Sequence, residues 1–241
     1  MNLPFTPAYC ELHASDKGIL TVRLNRPKQM NSMPPAAHAE LTKVFDAFER
    51  DDELRVAILT GNGRAFCAGF DLKAAAGMAP ERDMDISRYQ CNLEGEVDTQ
   101  GVPGGGGFCG ITERVALLKP VIAVVNGVAH GGGFETALAC DIIIASQEKA
   151  DFALPEPKVG LMASAGGVVR LPRIIGYHNA MGMILTGRRV GAKEAQQLGF
   201  VQQVVPHDQL MDAALKVAED ILLCSPERWV GRHEDRSAAT V

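Results

Sequence analysis

Four short runs constrain the fold more tightly than any other feature of the chain: RVAILTG at 55–61, PVIAVVNG at 120–127, DIIIAS at 141–146 and VQQVV at 201–205. The first three are nearly continuous in apolar residues and rich in β-branched side chains. They are too short for buried helices, and glycine or small polar residues close them. Strands of that kind are covered on both faces, as in parallel sheets. GILTVRL at 18–24 precedes them as an alternating strand, and NRPKQMNSM follows it as a turn. Helical spacing of apolar residues fills the intervals at 34–50, 133–140, 166–186, 192–198 and 208–223, the first with proline in its opening turn. Strands alternating with helices predict βαβ units and a mostly parallel sheet covered on both sides.

Two stretches break this rhythm. Residues 77–107 carry charges and end in GVPGGGG, which predicts a mobile excursion, part helix, closing in a flexible glycine run. From 225 onward, SPERWVGRHEDRSAATV is polar and aperiodic and reads as loosely ordered. No internal repeat is visible.

Composition excludes several classes. A net charge of −5 argues against a general nucleic-acid binder. No apolar run approaches a membrane span, and the first residues have neither the basic head and apolar core of a secretory signal nor the arginines of a transit peptide. The final residues SAATV match no peroxisomal or ER address. These features predict a cytoplasmic protein. The six cysteines, 10, 67, 91, 109, 140 and 224, form no CxxC pair and read as reduced, mostly buried thiols; the histidines show no metal-ligand spacing, so no metal is expected.

The chemistry concentrates in two segments with one grammar, RVAILTGNGRAFCAGFDLKAAA and PVIAVVNGVAHGGGFETALACD. Each is a buried strand, a glycine-bearing loop and a helix start. A helix N-terminus offers unpaired N–H groups and partial positive charge, and glycines let a ligand approach it. Two such loops together can aim two N–H donors at one oxygen, an oxyanion hole; the plain alternative is a pair of βα turns with glycines for tight packing. In HGGGFETALACD, Glu135 stands in an otherwise apolar helix, either for chemistry or as a carboxylate favoured by the helix dipole. In FALPEPKVGLMASAGGVVRLPRIIG, Glu156 sits between two prolines in an apolar loop. That position suits a desolvated general acid or base, and equally a surface turn.

Other motifs fail. Ser164 in MASAGG is no nucleophile elbow and is expected to cap the next helix. GNGRAF lacks a dinucleotide fingerprint, and no phosphate loop of the GxxxxGK[ST] kind exists. His130 reads as a loop residue and Lys119 as solvated.

The segments LNRPKQMNSM, AFCAGFDLKAA, NGVAHGGGFETALACD, PEPKVGLMASAGGVVRLPR and LTGRRVGAKEAQQLGFV, in this order, resemble the crotonase (enoyl-CoA hydratase/isomerase) superfamily over roughly residues 8–224. DLKAAAG, GGFCGITE, LLKPVIAVVNG, GGGFE and FALPEPKVG are closest to its carnitinyl-CoA dehydratase-like members. The resemblance implies an α/β fold, a crotonase-like spiral of ββα units. The core would span 1–206, with a shortened C-terminal helical segment and tail over 207–241. It implies that the backbone N–H groups of Phe70 and Gly132 hold a thioester oxygen and that Glu135 and Glu156 are the two hydratase carboxylates. Lys28, Met30, Ala68, Asp71, Leu72, Lys73 and Pro155 match positions lining the coenzyme A ester. The expected reaction is hydration of an enoyl-CoA or dehydration of a 3-hydroxyacyl-CoA, with double-bond isomerisation or silent acyl-CoA binding as the alternatives. Coenzyme A would enter as part of the substrate, with no other cofactor, no nucleic-acid or membrane partner, and a homotrimer or dimer of trimers as the assembly.

Overall fold

In the computed structural model, which describes residues 1, 3–76, 105–114 and 117–225, the apolar runs become the spine of one sheet. The chain passes through β1 (Cys10–Ala14), β2 (Ile19–Leu24), α1 (Pro35–Arg50), β3 (Val56–Gly61), β4 (Ala65–Cys67) and α2 (Leu72–Ala76). It continues through β5 (Val121–Val125), β6 (Val128–His130), α3 (Gly132–Ala139), β7 (Ile142–Ser146) and β8 (Asp151–Ala153). Then follow α4 (Gly167–Ile175), α5 (Tyr177–Ile184), β9 (Val190–Gly191), α6 (Ala192–Leu198), β10 (Gln203–Val205) and α7 (Leu210–Leu222). The six-stranded sheet has the order β1-β2-β3-β5-β7-β10 and is parallel except for the β1–β2 hairpin.

Its central strands lack alternation because both faces are covered. Val56, Ile58, Ile122, Val124 and Ile144 pack with Leu210, Ala214 and Ala218 of α7. Their neighbours Ala57, Leu59, Ala123, Val125 and Ala145 share a second cluster with Leu41, Val44, Phe45 and Phe48 of α1. Each strand thus contributes alternate side chains to two cores.

The second sheet, β4-β6-β8-β9, was not legible in the sequence. Its strands are two or three residues long, too short to show a period. Three of them recur in one pattern: β3 turns into β4, β5 into β6, and β7 into β8. This structural repeat is the ββα spiral, although the sequence shows no repeat. Because β4, β6 and β8 run parallel, the residues that follow them emerge side by side at one edge. Under this sheet, Phe134, Phe152 and Phe200 meet with ring centroids 5.1–5.3 Å apart.

Several expectations are corrected. The helix expected over 166–186 is two helices, broken at Gly176, whose φ of 80° and ψ of 155° no helix accommodates. Ser164 does not cap α4; its N-cap is Gly166, with φ 106°. Lys119 is not simply solvated: its Nζ donates to Phe48 O at 2.9 Å and Asp51 O at 2.7 Å, closing the C-terminal end of α1. His130 ends strand β6 rather than lying in a loop, and its Nε2 stands 3.0 Å from Asp151 Oδ2. The end of the expected flexible glycine run is packed: Gly106 and Gly107 are buried. The rest of that excursion, residues 77–104, lies outside the described residues, as do Cys91 and the tail from 226. Cys10, Cys67 and Cys109 are buried free thiols, whereas Cys224 is exposed. Among the described residues no helix is long and apolar enough to cross a membrane, and no group of three or more His, Cys, Asp or Glu is placed to hold a metal.

Candidate active site

The site forms where β4, β6 and β8 end. After β4, Gly69 takes φ 97°, a left-handed conformation that disfavours other residues. It lies against the next loop so closely that a Cβ there would stand 2.9 Å from His130 O and 3.4 Å from Gly132 N. Phe70 forms a parallel bridge with Met33: Met33 N–H donates to Gly69 O at 2.9 Å and Asp71 N–H to Met33 O at 3.0 Å. In such a bridge the N–H of the bridged residue points away from its partner strand. The Phe70 N–H therefore points away from Met33.

After β6 come the three glycines, and each has a physical reason. Gly131 takes φ 53° and ψ −131°, and a Cβ on it would stand 2.8 Å from Glu156 Oε1. On Gly132 a Cβ would stand 2.6 Å from the Phe108 ring, and on Gly133 it would stand 2.0 Å from Cys67 O. Gly132 is the first residue of α3, so its N–H has no acceptor within the helix. The turns after β4 and β6 thus place Phe70 and Gly132 on neighbouring loops.

Glu135 sits one turn into α3 and is 2 % exposed. Its Oε1 accepts the Gly167 N–H at 2.8 Å, at the start of α4. Burial, and then the charge of Glu156, push its pKa up to about 8, against the opposing pull of the Gly167 N–H and the Arg170 guanidinium. Glu156 follows β8 and opens a short 3-10 turn, Glu156–Val159, with Pro155 before it and Pro157 inside it. Its Oε2 is buried with no hydrogen-bond partner, and burial raises its pKa as well. Two carboxylates, one on α3 and one in the turn after β8, thus come close enough for the charge of Glu156 to act on Glu135 beside the start of α3.

Arg170 braces the cradle of Glu135. It donates to Ala165 O at 3.1 Å and Thr112 O at 2.5 Å, so one guanidinium ties the loop before α4 to the segment after Phe108. Its Nη1 comes up against Gly166, where a Cβ would stand 1.7 Å from that atom.

The family described as enoyl-CoA hydratase/isomerase matches residues 14–231. The chain belongs to that family. It is 44 % identical over 218 residues to a carnitinyl-CoA dehydratase of Proteus mirabilis (strain HI4320) and equally to one of Escherichia coli (strain K12). Each alignment covers 89 % of this chain and 76 % of the relative. Among solved structures it resembles an enoyl-CoA hydratase from Mycobacterium tuberculosis H37Rv, with TM-score 0.79 and 37 % identity, over 95 % of this chain and 81 % of that one. It also resembles a carnitinyl-CoA dehydratase from Mycobacterium avium 104, with TM-score 0.77 and 32 % identity, over 96 % of this chain and 82 % of that one.

The hydratase/isomerase fold gathers the remaining sequence-predicted residues at the flank of this site. Met30, in a left-handed conformation, accepts the Ala68 N–H at 3.0 Å, which joins the 26–31 turn to the loop after β4. Lys28, Leu72 and Lys73 are exposed there, and Pro155 is half-buried beside Glu156. Asp71 has partners of its own: Oδ2 pairs with Arg26 at 2.8 Å and Oδ1 accepts the Ala74 N–H at 3.1 Å, capping α2. Gly167, Arg170 and Phe108 were not singled out from the sequence. The only hint was SAGG before an amphipathic helix, a helix start with room for close approach.

Proposed function

We propose that this protein is an acyl-CoA hydro-lyase that hydrates enoyl-CoA esters and dehydrates 3-hydroxyacyl-CoA esters through an enolate. The observation that carries this reading is the pair of carboxylates beside the N-terminus of α3: Glu135, buried, and Glu156, whose Oε2 is buried without a hydrogen-bond partner and whose charge raises the Glu135 pKa. The named relatives, hydratases and carnitinyl-CoA dehydratases, support it.

The thioester carbonyl oxygen lies between the Phe70 and Gly132 N–H groups. In dehydration, Glu156 takes the α-proton, and the electron pair of that C–H bond moves into the carbonyl, giving an enolate whose oxygen the two N–H groups hold. Losing one such donor typically costs about 3 kcal/mol of barrier. The enolate then re-forms the carbonyl and a Cα–Cβ double bond. The β-hydroxyl leaves with its C–O electron pair and takes a proton from Glu135. Hydration runs the same steps in reverse, Glu135 removing the proton from water. The burial of Glu135 and the charge on Glu156 suit this division, because near neutral pH a proton rests on Glu135.

Lys28, Met30, Ala68, Asp71, Leu72, Lys73 and Pro155 line the coenzyme A side, and coenzyme A arrives as part of the substrate rather than as a separate cofactor. The exposed apolar side chains Val169, Ile174, Tyr177 and Leu185 on and after α4 and α5 suit burial in a homotrimer or a dimer of trimers. The free thiols suit a cytoplasmic setting. Purified protein is to be tested with a panel of 2-enoyl-CoA and 3-hydroxyacyl-CoA esters, carnitinyl-CoA included, by mass spectrometry. Gain or loss of one water, abolished in Glu135→Gln and in Glu156→Gln, is the expected result. Double-bond migration without water exchange would move the reading to an isomerase, and acyl-CoA binding without turnover to a silent binder.

A further inference from the structure

Among the described residues, two buried polar atoms without a hydrogen-bond partner lie at this site. One is Glu156 Oε2, which the proposed reaction uses; the other is His38 Nε2, which it does not. His38, in the first turn of α1, is 2 % exposed. Its Nδ1 accepts the Cys109 N–H at 3.1 Å, so in the neutral ring the proton is on Nε2 and that atom can only donate. Burial holds its pKa down at about 4, which keeps the ring neutral near pH 7. A buried donor left unpaired is unfavourable by roughly 1–3 kcal/mol, and few such groups persist in native structures without a role.

The surroundings point to one. The His38 ring lies parallel to Phe70, with centroids 6.1 Å apart, and tilts against Phe108 at 4.4 Å. Phe70 carries one of the two proposed oxyanion donors, and the Phe108 ring rests on Gly132, which carries the other. An acyl chain leaving a carbonyl held between Phe70 and Gly132 would start beside these two rings, and both rings neighbour His38. Neither ring supplies an oxygen acceptor for the Nε2–H. An apolar wall with one neutral donor favours an uncharged acceptor, since a charge there would lose its hydration.

Building on the acyl-CoA reading above, we infer that His38 is a specificity-determining residue, whose Nε2–H donates to a neutral oxygen, hydroxyl, ether or carbonyl, on the acyl chain of the preferred ester. The test uses pairs of saturated acyl-CoA esters in which an ether oxygen replaces successive methylenes, with affinity measured by calorimetry. The protein is expected to bind one oxygen-bearing ester about tenfold or more tighter than its hydrocarbon partner. His38→Asn retains an acceptor for the Cys109 N–H but lacks the distal donor, and is expected to fold and lose the preference. His38→Gln carries a donor near the Nε2 position, and is expected to keep part of it. No preference at any chain position, or an undiminished preference in His38→Asn, would overturn the inference. Turnover of a simple 2-enoyl-CoA, measured alongside, judges the acyl-CoA reaction separately. Absence of binding by every ester would overturn both.

Discussion

Replacing Glu135 by Gln should stabilise the protein, and by an amount that depends on pH in a defined way. Glu135 has a raised folded-state pKa, about 8 against 4.5 for an ordinary glutamate. A raised carboxyl pKa means that the native state favours the protonated form. Below pH 4.5 both states are protonated and the group imposes no penalty. Between 4.5 and 8 the unfolded chain ionises while the native one does not, so stability falls by about 1.4 kcal/mol per pH unit. Above pH 8 both ionise and the penalty levels off. From pH 5 to pH 8 the accumulated loss is about 3–4 kcal/mol, and the group is almost wholly buried, so solvent screening reduces it little. Gln has no such ionisation, and its amide oxygen can still accept the Gly167 N–H. Urea unfolding of both proteins at one protein concentration and three pH values measures the difference. The advantage of Glu135→Gln should widen by about 3–4 kcal/mol over that interval, or roughly 7–14 °C in Tm for a chain of this size. Glu156 and Arg170, the charged groups that face Glu135, are common to both proteins. Parallel stability curves would refute the reasoning, since they would mean that Glu135 ionises in the folded protein as it does in the unfolded chain.

Three further outcomes follow from the packing. Arg170→Met removes the donors to Ala165 O and Thr112 O together with the cation that holds the Glu135 pKa down. It should lower kcat more than it raises KM and move the alkaline limb of the dehydration pH profile upward, while Arg170→Lys restores part of the profile. Asn31→Ala should cost about 3 kcal/mol or more in chemical denaturation, because the buried Asn31 accepts the Arg26 N–H and donates to Asn62 O and Ala65 O from a left-handed conformation. Gly69→Ala places a Cβ 2.9 Å from His130 O at φ 97°, so it should lower both Tm and turnover, whereas Gly182→Ala, at an open position inside α5, should lower neither.

Most of the large sheet was legible because full burial on both faces leaves apolar runs such as 55–61 and 120–127 that only strands explain; its edge strand β1, mostly exposed, leaves no such run and was not expected. Glu135 and Glu156 were legible for the converse reason, each being a charge set among apolar residues. What failed to show was either too short or too remote. β4, β6 and β8 have three residues each and are dominated by glycine and small residues at their ends, so no period could declare them, although they bring the two loops and both carboxylates to one edge. Gly176 breaks a helix whose apolar stripe runs on through it. The Gly167 N–H reaches Glu135 across 32 residues and the Cys109 N–H reaches His38 across 71, contacts that no local pattern encodes. The cradle of Glu135 and the donor of His38 therefore emerge only once the chain is folded.

Isotope labelling tests most directly whether the two carboxylates act on opposite ends of one water addition. A 2-enoyl-CoA incubated with the protein in oxygen-18 water, and separately in deuterium oxide, is followed by mass spectrometry. The account predicts one labelled oxygen at the β-carbon and one deuterium at the α-carbon, both lost in Glu135→Gln. It also predicts loss of both in Glu156→Gln, which lacks the acid that delivers the α-proton. Label incorporation that survives either substitution in a folded, acyl-CoA-binding variant would contradict it.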